Sequence, residues 1–294
     1  MSLPRPVLPN RFYLITRRCT QRTYLLRPDP ETNNAFLYCL AIAAERYDIN
    51  VLLTCAMSNH HHTIIFDRWG AYPNFIEHFH KLLARSQNAL RGRWENFWAP
   101  GQCSVVRLVD REDVIRKLVY VAANPVKDHL VERVRHWPGI NTYGALCRDR
   151  ILTASRPVHF FRRSGPMPES VQLRMTIPNE LGPRDKMLME LAEGVAAAER
   201  EAADHRTRSG KRILGRRAVL RQSWQSGPRA QEPRRVLSPH IAAGDALARV
   251  TALEENRWFV STYRSARLAW KGGVHVLFPR GTYWLTRFGN ALVN

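Results

Sequence analysis

Three consecutive histidines, His60, His61 and His62, stand at the head of an apolar run, Thr63-Ile64-Ile65-Phe66. The run reads as a strand, and along a strand successive side chains alternate between faces. His60 and His62 therefore share one face with Ile64 and Phe66, and His61 takes the other. Two imidazoles about 6–7 Å apart on one face can converge on a single metal ion, given a third ligand from elsewhere. The pattern also suits a surface histidine cluster, or histidines hydrogen-bonded within a core. A third grouping is a structural zinc site of Cys55 with His60 and His62, although no further Cys or His follows at zinc-finger spacing. Downstream, Tyr120 and Asn124 lie four residues apart and so share one face of a helix. Arg116, Lys117 and Lys127 flank them, a setting that would hold a phosphate near a phenol. The plainer alternatives are a half-buried tyrosine on an amphipathic helix and an asparagine that ends the helix, since Asn124 precedes Pro125.

The elements that must position these residues follow from period and punctuation. Strands are expected at 12–16, 50–55, 60–66 and 104–108. Helices are expected from Pro30 to Tyr47, from Pro73 to Leu90 and from Asp110 to Pro125. The order β-α-β-β-α-β-α is the split βαβ pattern of a ferredoxin-like antiparallel sheet with one extra helix, an α+β fold. Residues 1–150 form one domain on this reading, and the Pro/Gly-rich stretch 151–184 is a connector. Residues 185–294 are a basic, mainly helical extension, with helices expected at 183–206 and 238–270. A hairpin from 274–278 and 282–288 ends it.

Charge then narrows the partner. The 294 residues carry 45 Lys+Arg against 25 Asp+Glu, a formal net charge of +20, and both halves are basic. Such an excess points to a polyanion, with nucleic acid ahead of a membrane surface because no basic amphipathic anchor helix stands out. The densest basic stretch, Arg206 to Arg235, holds ten basic residues and one acid, Glu232, and reads as a partly ordered connector. No apolar run approaches the roughly 18 residues of a membrane span. The first ten residues carry Pro4, Pro6 and Pro9 and show no secretory signal. Five scattered cysteines without a C-x-x-C pair fit a reducing compartment, so a cytoplasmic, nucleoid-associated protein is expected.

Met57-Ser-Asn-His-His-His, followed by Tyr120-Val-Ala-Ala-Asn-Pro-Val-Lys127, resembles the REP-associated tyrosine transposases, single-tyrosine members of the HUH endonuclease superfamily. The resemblance spans about residues 8–150 and includes Phe97-Trp98 and Trp137-Pro-Gly-Ile-Asn-Thr-Tyr143. It departs at His61, where the family usually has an aliphatic residue, and at Ser58, where proline is usual. The resemblance implies metal ligation by His60 and His62, with Asn124 as third ligand, and a nucleophile at Tyr120. It also implies cleavage of single-stranded DNA beside a palindromic hairpin, leaving a 5′-phosphotyrosine and a free 3′-hydroxyl.

The chemistry agrees with the residue types. A tyrosine hydroxyl, with a pKa near about 10, is a poor nucleophile at neutral pH, and a divalent ion would offset charge on the scissile phosphate. Two imidazoles and an amide oxygen favour Mn²⁺ on softness, while abundance in the cell favours Mg²⁺. Trp69, Tyr72, Trp94, Phe97 and Trp98 are candidates for stacking on unpaired bases, with Arg85, Arg91 and Arg93 on phosphates. Arg212, Arg216, Arg217 and Arg221 are candidates for clamping a hairpin stem, acting far from the chemistry. A monomer or a homodimer would suit this partner. A non-catalytic hairpin binder and a nuclease with water as nucleophile are the competing functions.

Overall fold

Alternation and capping in the first half produce the expected elements in a computed structural model, which describes residues 4–229 and 239–294. β1 (Arg11–Arg18) leads through a short turn into α1 (Pro30–Arg46). Asp29 accepts from the Thr32 amide at 2.8 Å, Pro30 opens the first turn and Glu31 faces the positive end of the helix dipole. β2 (Ile49–Ala56) and β3 (His60–Asp67) pair antiparallel, with a bulge between Val51 and Leu53. α2 (Tyr72–Arg91) buries Phe75, Phe79 and Leu83 at a spacing of four, and ends on Gly92 at φ 59°. β4 (Ser104–Leu108) and α3 (Arg111–Lys127) follow, and Asp113 accepts from the Asp110 amide to fix the start of α3.

The four strands lie in the order β2-β3-β1-β4, all antiparallel, which is the split βαβ arrangement. Register places Thr16 opposite His62 and Arg18 opposite His60. One face of the sheet is covered by α1 and α2, where Phe36 and Phe79 meet His61 edge-on. α3 crosses the opposite face, with Leu118, Val121, Ala122 and Val126 fully buried.

α3 does not stop before Pro125, as the proline rule led us to expect. Pro125 removes one N–H from the ladder, but burial of Val126 carries the helix on to Lys127. The amides of Asp128 and His129 bond back to Asn124 and Val126, and that of Leu130 bonds to Pro125. Asn141 Nδ2 also donates to the Ala122 carbonyl at 2.9 Å. The Trp137–Tyr143 segment thereby ties α3 to β2: Trp137 Nε1 reaches the Ala56 carbonyl, and Thr142 bonds Thr54.

Past α4 (Tyr143–Cys147), the stretch expected as a connector is folded. β5 (Leu152–Ser155) and β6 (Ser170–Leu173) pair antiparallel against α1, where the Asn34 side chain bonds both the N–H and the C=O of Ser155. α5 (Arg184–Ser209) packs on α3 and adds Met187, Leu191 and Val195 to the same core. The basic stretch contains α6 (Arg216–Arg221), whose Val219 is buried. Its last part, including Glu232, Arg234 and Arg235, lies outside the described residues, as does the expected helix start at Ser238. β7 (Ile241–Ala242) adds a fifth strand, parallel to β4, so α7 (Ala246–Lys271) begins only at its Asp245 cap. Two residues are too few to show a strand period.

The expected terminal hairpin is also corrected. β8 (Leu277–Phe278) and β9 (Leu292–Val293) pair in parallel, and α8 (Trp284–Phe288) makes the crossover that parallel strands need. Trp284 and Phe288 stack at 5.6 Å four residues apart, a helical spacing within what reads as a strand. No described helix is long and apolar enough to cross a membrane.

α5 approaches α3 most closely at Gly194, where an added Cβ would sit 2.5 Å from Val119 Cγ2. Gly194→Ala is expected to destabilise the protein by about 1–3 kcal/mol in urea, despite alanine's better helix propensity. Unchanged or raised stability would show that the two helices do not meet there.

Candidate active site

The pleat of β3 divides the three histidines as alternation requires. His61 is fully buried on the α1/α2 face, with its Nε2 2.8 Å from His80 Nε2 and its Nδ1 3.1 Å from Thr63 Oγ1. Burial, and then His80, hold its pKa well below the usual histidine value, and burial lowers His80 to about 3. This is a neutral pair inside the core. His60 and His62 lie on the other face with ring centroids 4.8 Å apart, nearly perpendicular.

Hydrogen bonds orient both imidazoles. The Asn59 amide donates through Nδ2 to the Arg22 carbonyl, which turns Oδ1 toward His60 Nδ1 at 2.7 Å. An amide oxygen only accepts, so the His60 proton sits on Nδ1 and Nε2 carries the lone pair. His62 Nδ1 lies 2.8 Å from Thr16 Oγ1, its neighbour across β1, while His62 Nε2 is buried without a hydrogen-bond partner. Burial, and then His60, depress the His62 pKa well below its ordinary value and keep the ring neutral, the form a metal ligand needs.

α3 faces these rings with a polar stripe at helical spacing: Lys117, Tyr120, Asn124 and Lys127. The Tyr120 ring is 5.2 Å from that of His62. Lys117 Nζ and Lys127 Nζ lie 5.6 and 5.8 Å from the Tyr120 centroid. One turn on, Asn124 is 5% exposed and its Oδ1 has no hydrogen-bond partner. A buried ring nitrogen and a buried amide oxygen are thus both unsatisfied, and with the His62 proton on Nδ1, donated to Thr16, they would form a donor set that suits a divalent cation. Among the described residues no group of three or more His, Cys, Asp and Glu gathers for a metal. Cys55 lies opposite His62 but is fully buried, its Sγ beside Asn141 Nδ2, and burial pushes the thiol up.

The other expected binding residues separate. Arg116 turns away from Tyr120, pairing with Asp113 under Gly244. Arg91 is bound to Asp29 at 2.7 Å and to Thr32, and stacks over Trp224, so its guanidinium is occupied within the fold. Hydrogen bonds from Thr32 and Arg91 outweigh burial and hold Asp29 below the usual carboxylate range. Arg85 is exposed on α2, across the sheet from Tyr120. Arg93 is half-buried near Cys19. Of the aromatics, Tyr72 and Phe97 are core, and Trp98 is half-buried with its Nε1 on the His80 carbonyl. Trp69 is exposed at the far end of β3 from His60, whereas Trp94 is 98% exposed in the loop beside Arg18. Arg212, Arg216, Arg217 and Arg221 are exposed. They are not remote from the chemistry as their sequence distance suggested, because the amides of Leu214 and Gly215 bond the carbonyls of His129 and Leu130 just past α3.

Thr16 supports the site and was not singled out beforehand, while Asn59 and Asn141 stand inside the quoted motifs but were given no role of their own. The register that puts Thr16 opposite His62 is a property of the folded sheet, and nothing local in the sequence marks it.

No protein-family model matches the sequence, and no curated protein matches it. Among solved structures the chain is similar to a REP-associated tyrosine transposase bound to a REP hairpin. The TM-score is 0.42 and the identity 18%, over 51% of this chain and 84% of that one.

His61→Ala empties a buried position and strands His80, so it should cost about 2–4 kcal/mol in urea denaturation. His60→Ala, at a half-exposed position, should cost under about 1 kcal/mol. Equal losses would contradict the division of the strand between core and site.

Proposed function

We propose that the protein cleaves and rejoins single-stranded DNA beside hairpins through a covalent 5′-phosphotyrosine on Tyr120. His60, His62 and Asn124 would hold Mg²⁺ or Mn²⁺. The observation that carries this reading is the pair of buried, unsatisfied atoms, His62 Nε2, on the ring beside Tyr120, and Asn124 Oδ1, one helical turn from Tyr120 on α3. A divalent cation, when bound, neutralises and polarises the scissile phosphate.

The chain's own residues supply the rest. Asn59 and Thr16 orient the two imidazoles through their Nδ1 atoms, the kind of outer bond by which metal-ligating histidines are held. Tyr120 Oη attacks phosphorus, the bond to the 3′-oxygen breaks, and the phenolic proton is lost as the departing 3′-hydroxyl gains one. Lys117 and Lys127 beside the ring bring positive charge to the phosphate. Phenolate is a good leaving group, so a 3′-hydroxyl reverses the step without an external energy source. That reversibility suits strand transfer. α3 is pinned to the sheet by Asn141 and by α5, which keeps the nucleophile at a fixed height over β3.

The test is a denaturing gel with hairpin DNA carrying an adjacent labelled single strand and Mn²⁺. Wild-type protein is expected to form a covalent adduct whose modified peptide contains Tyr120. Tyr120→Phe should form none while binding the hairpin within a few-fold of wild type. Cleavage by Tyr120→Phe at the normal rate would replace tyrosine with water as the nucleophile, and hairpin binding by wild type without cleavage would leave a DNA-binding protein.

A further inference from the structure

Ser58, in the turn that leads into the histidine strand, is 5% exposed, yet its hydroxyl has no hydrogen-bond partner. An unsatisfied buried hydroxyl is costly, and Ser58 is among the residues lining a cavity of about 700 Å³ that opens beside His60. His129, whose Nδ1 is likewise buried without a hydrogen-bond partner, lines the same cavity.

The walls come from both parts of the chain. Arg18, Arg22 and Lys127 belong to the sheet domain, while Arg208 and Lys211 come from the end of α5 and the residue beyond its Gly210 cap. Asp128 and Glu201 are the acids among the lining residues, so cations dominate. The extension is held against this edge by backbone bonds. The Tyr24 amide donates to the Ser226 carbonyl at 2.8 Å, and Gly227 lies so close to Arg22 that an added Cβ would be 3.2 Å from its carbonyl oxygen. Tyr24 also lines the cavity and offers a ring for a base.

We propose that this cavity binds the sugar–phosphate backbone of the single strand leading to Tyr120, and that the extension, through Arg208 and Lys211, completes the substrate groove. The proposal rests on the reading of DNA as substrate. It differs from a stem clamp: the extension touches the strand at the active site.

The experiment uses full-length Tyr120→Phe protein and fluorescence anisotropy with a short labelled single strand lacking any hairpin. Arg208→Gln with Lys211→Gln should weaken binding at least tenfold. The slope of log K against log salt should flatten by about one to one and a half, given roughly 0.7 per phosphate on single strands. Arg257→Gln with Arg264→Gln, an equal charge change on the exposed part of α7, should leave binding within twofold. Equal affinity and salt slope in the Arg208/Lys211 variant would overturn the proposal, as would failure of the single strand to bind at all. If that happens while wild type still forms the Tyr120 adduct on hairpin DNA, the groove is wrong and the catalytic reading stands. Specific single-strand binding without any adduct would keep the groove and remove the catalysis.

Discussion

The two-residue period of a single β-strand is the constraint on which the site depends. Because β3 is paired on both edges, by β1 and β2, its register cannot slip without moving Ile64 and Phe66 out of the core. The same register that buries Ile65 and His61 under α1 and α2 sends His60 and His62 to the face crossed by α3. Core packing and the orientation of His60 and His62 are therefore set together. The apolar part of the strand anchors it, and the histidine end inherits a fixed orientation.

Much of this was legible because it follows from local periods. Alternation along 60–66 assigned the histidines to faces, and the spacing of Tyr120 and Asn124 put them on one helix face. The errors fell where tertiary contacts override a local rule. Pro125 argued for a helix end, yet Val126 is buried and the following amides find carbonyls, so the helix continues. Arg91 read as a phosphate contact but answers Asp29 and Trp224, residues distant in sequence. The end of the chain looked like a hairpin because Trp284 and Phe288 are aromatic, whereas their spacing of four is helical.

The extension changes how the molecule is divided in space. It contributes β7 to the sheet, α5 to the core against α3, and residues 222–228 to the edge beside the histidine strand. Residues that are far apart in sequence from His60, such as Lys211 and Pro228, line the same cavity. Two basic residues of the extension, Arg208 and Lys211, thus come to the edge where β3 begins and α3 ends.

The account turns on His60 and His62 presenting their Nε2 atoms to one ion beside Tyr120. Pulsed electron paramagnetic resonance on Mn²⁺ added to the full-length protein counts the imidazole nitrogens directly coupled to the metal. Two coupled nitrogens are expected in wild type and in Tyr120→Phe, and one in His60→Ala. Failure to retain Mn²⁺, or a nitrogen signal unchanged by His60→Ala, would contradict it.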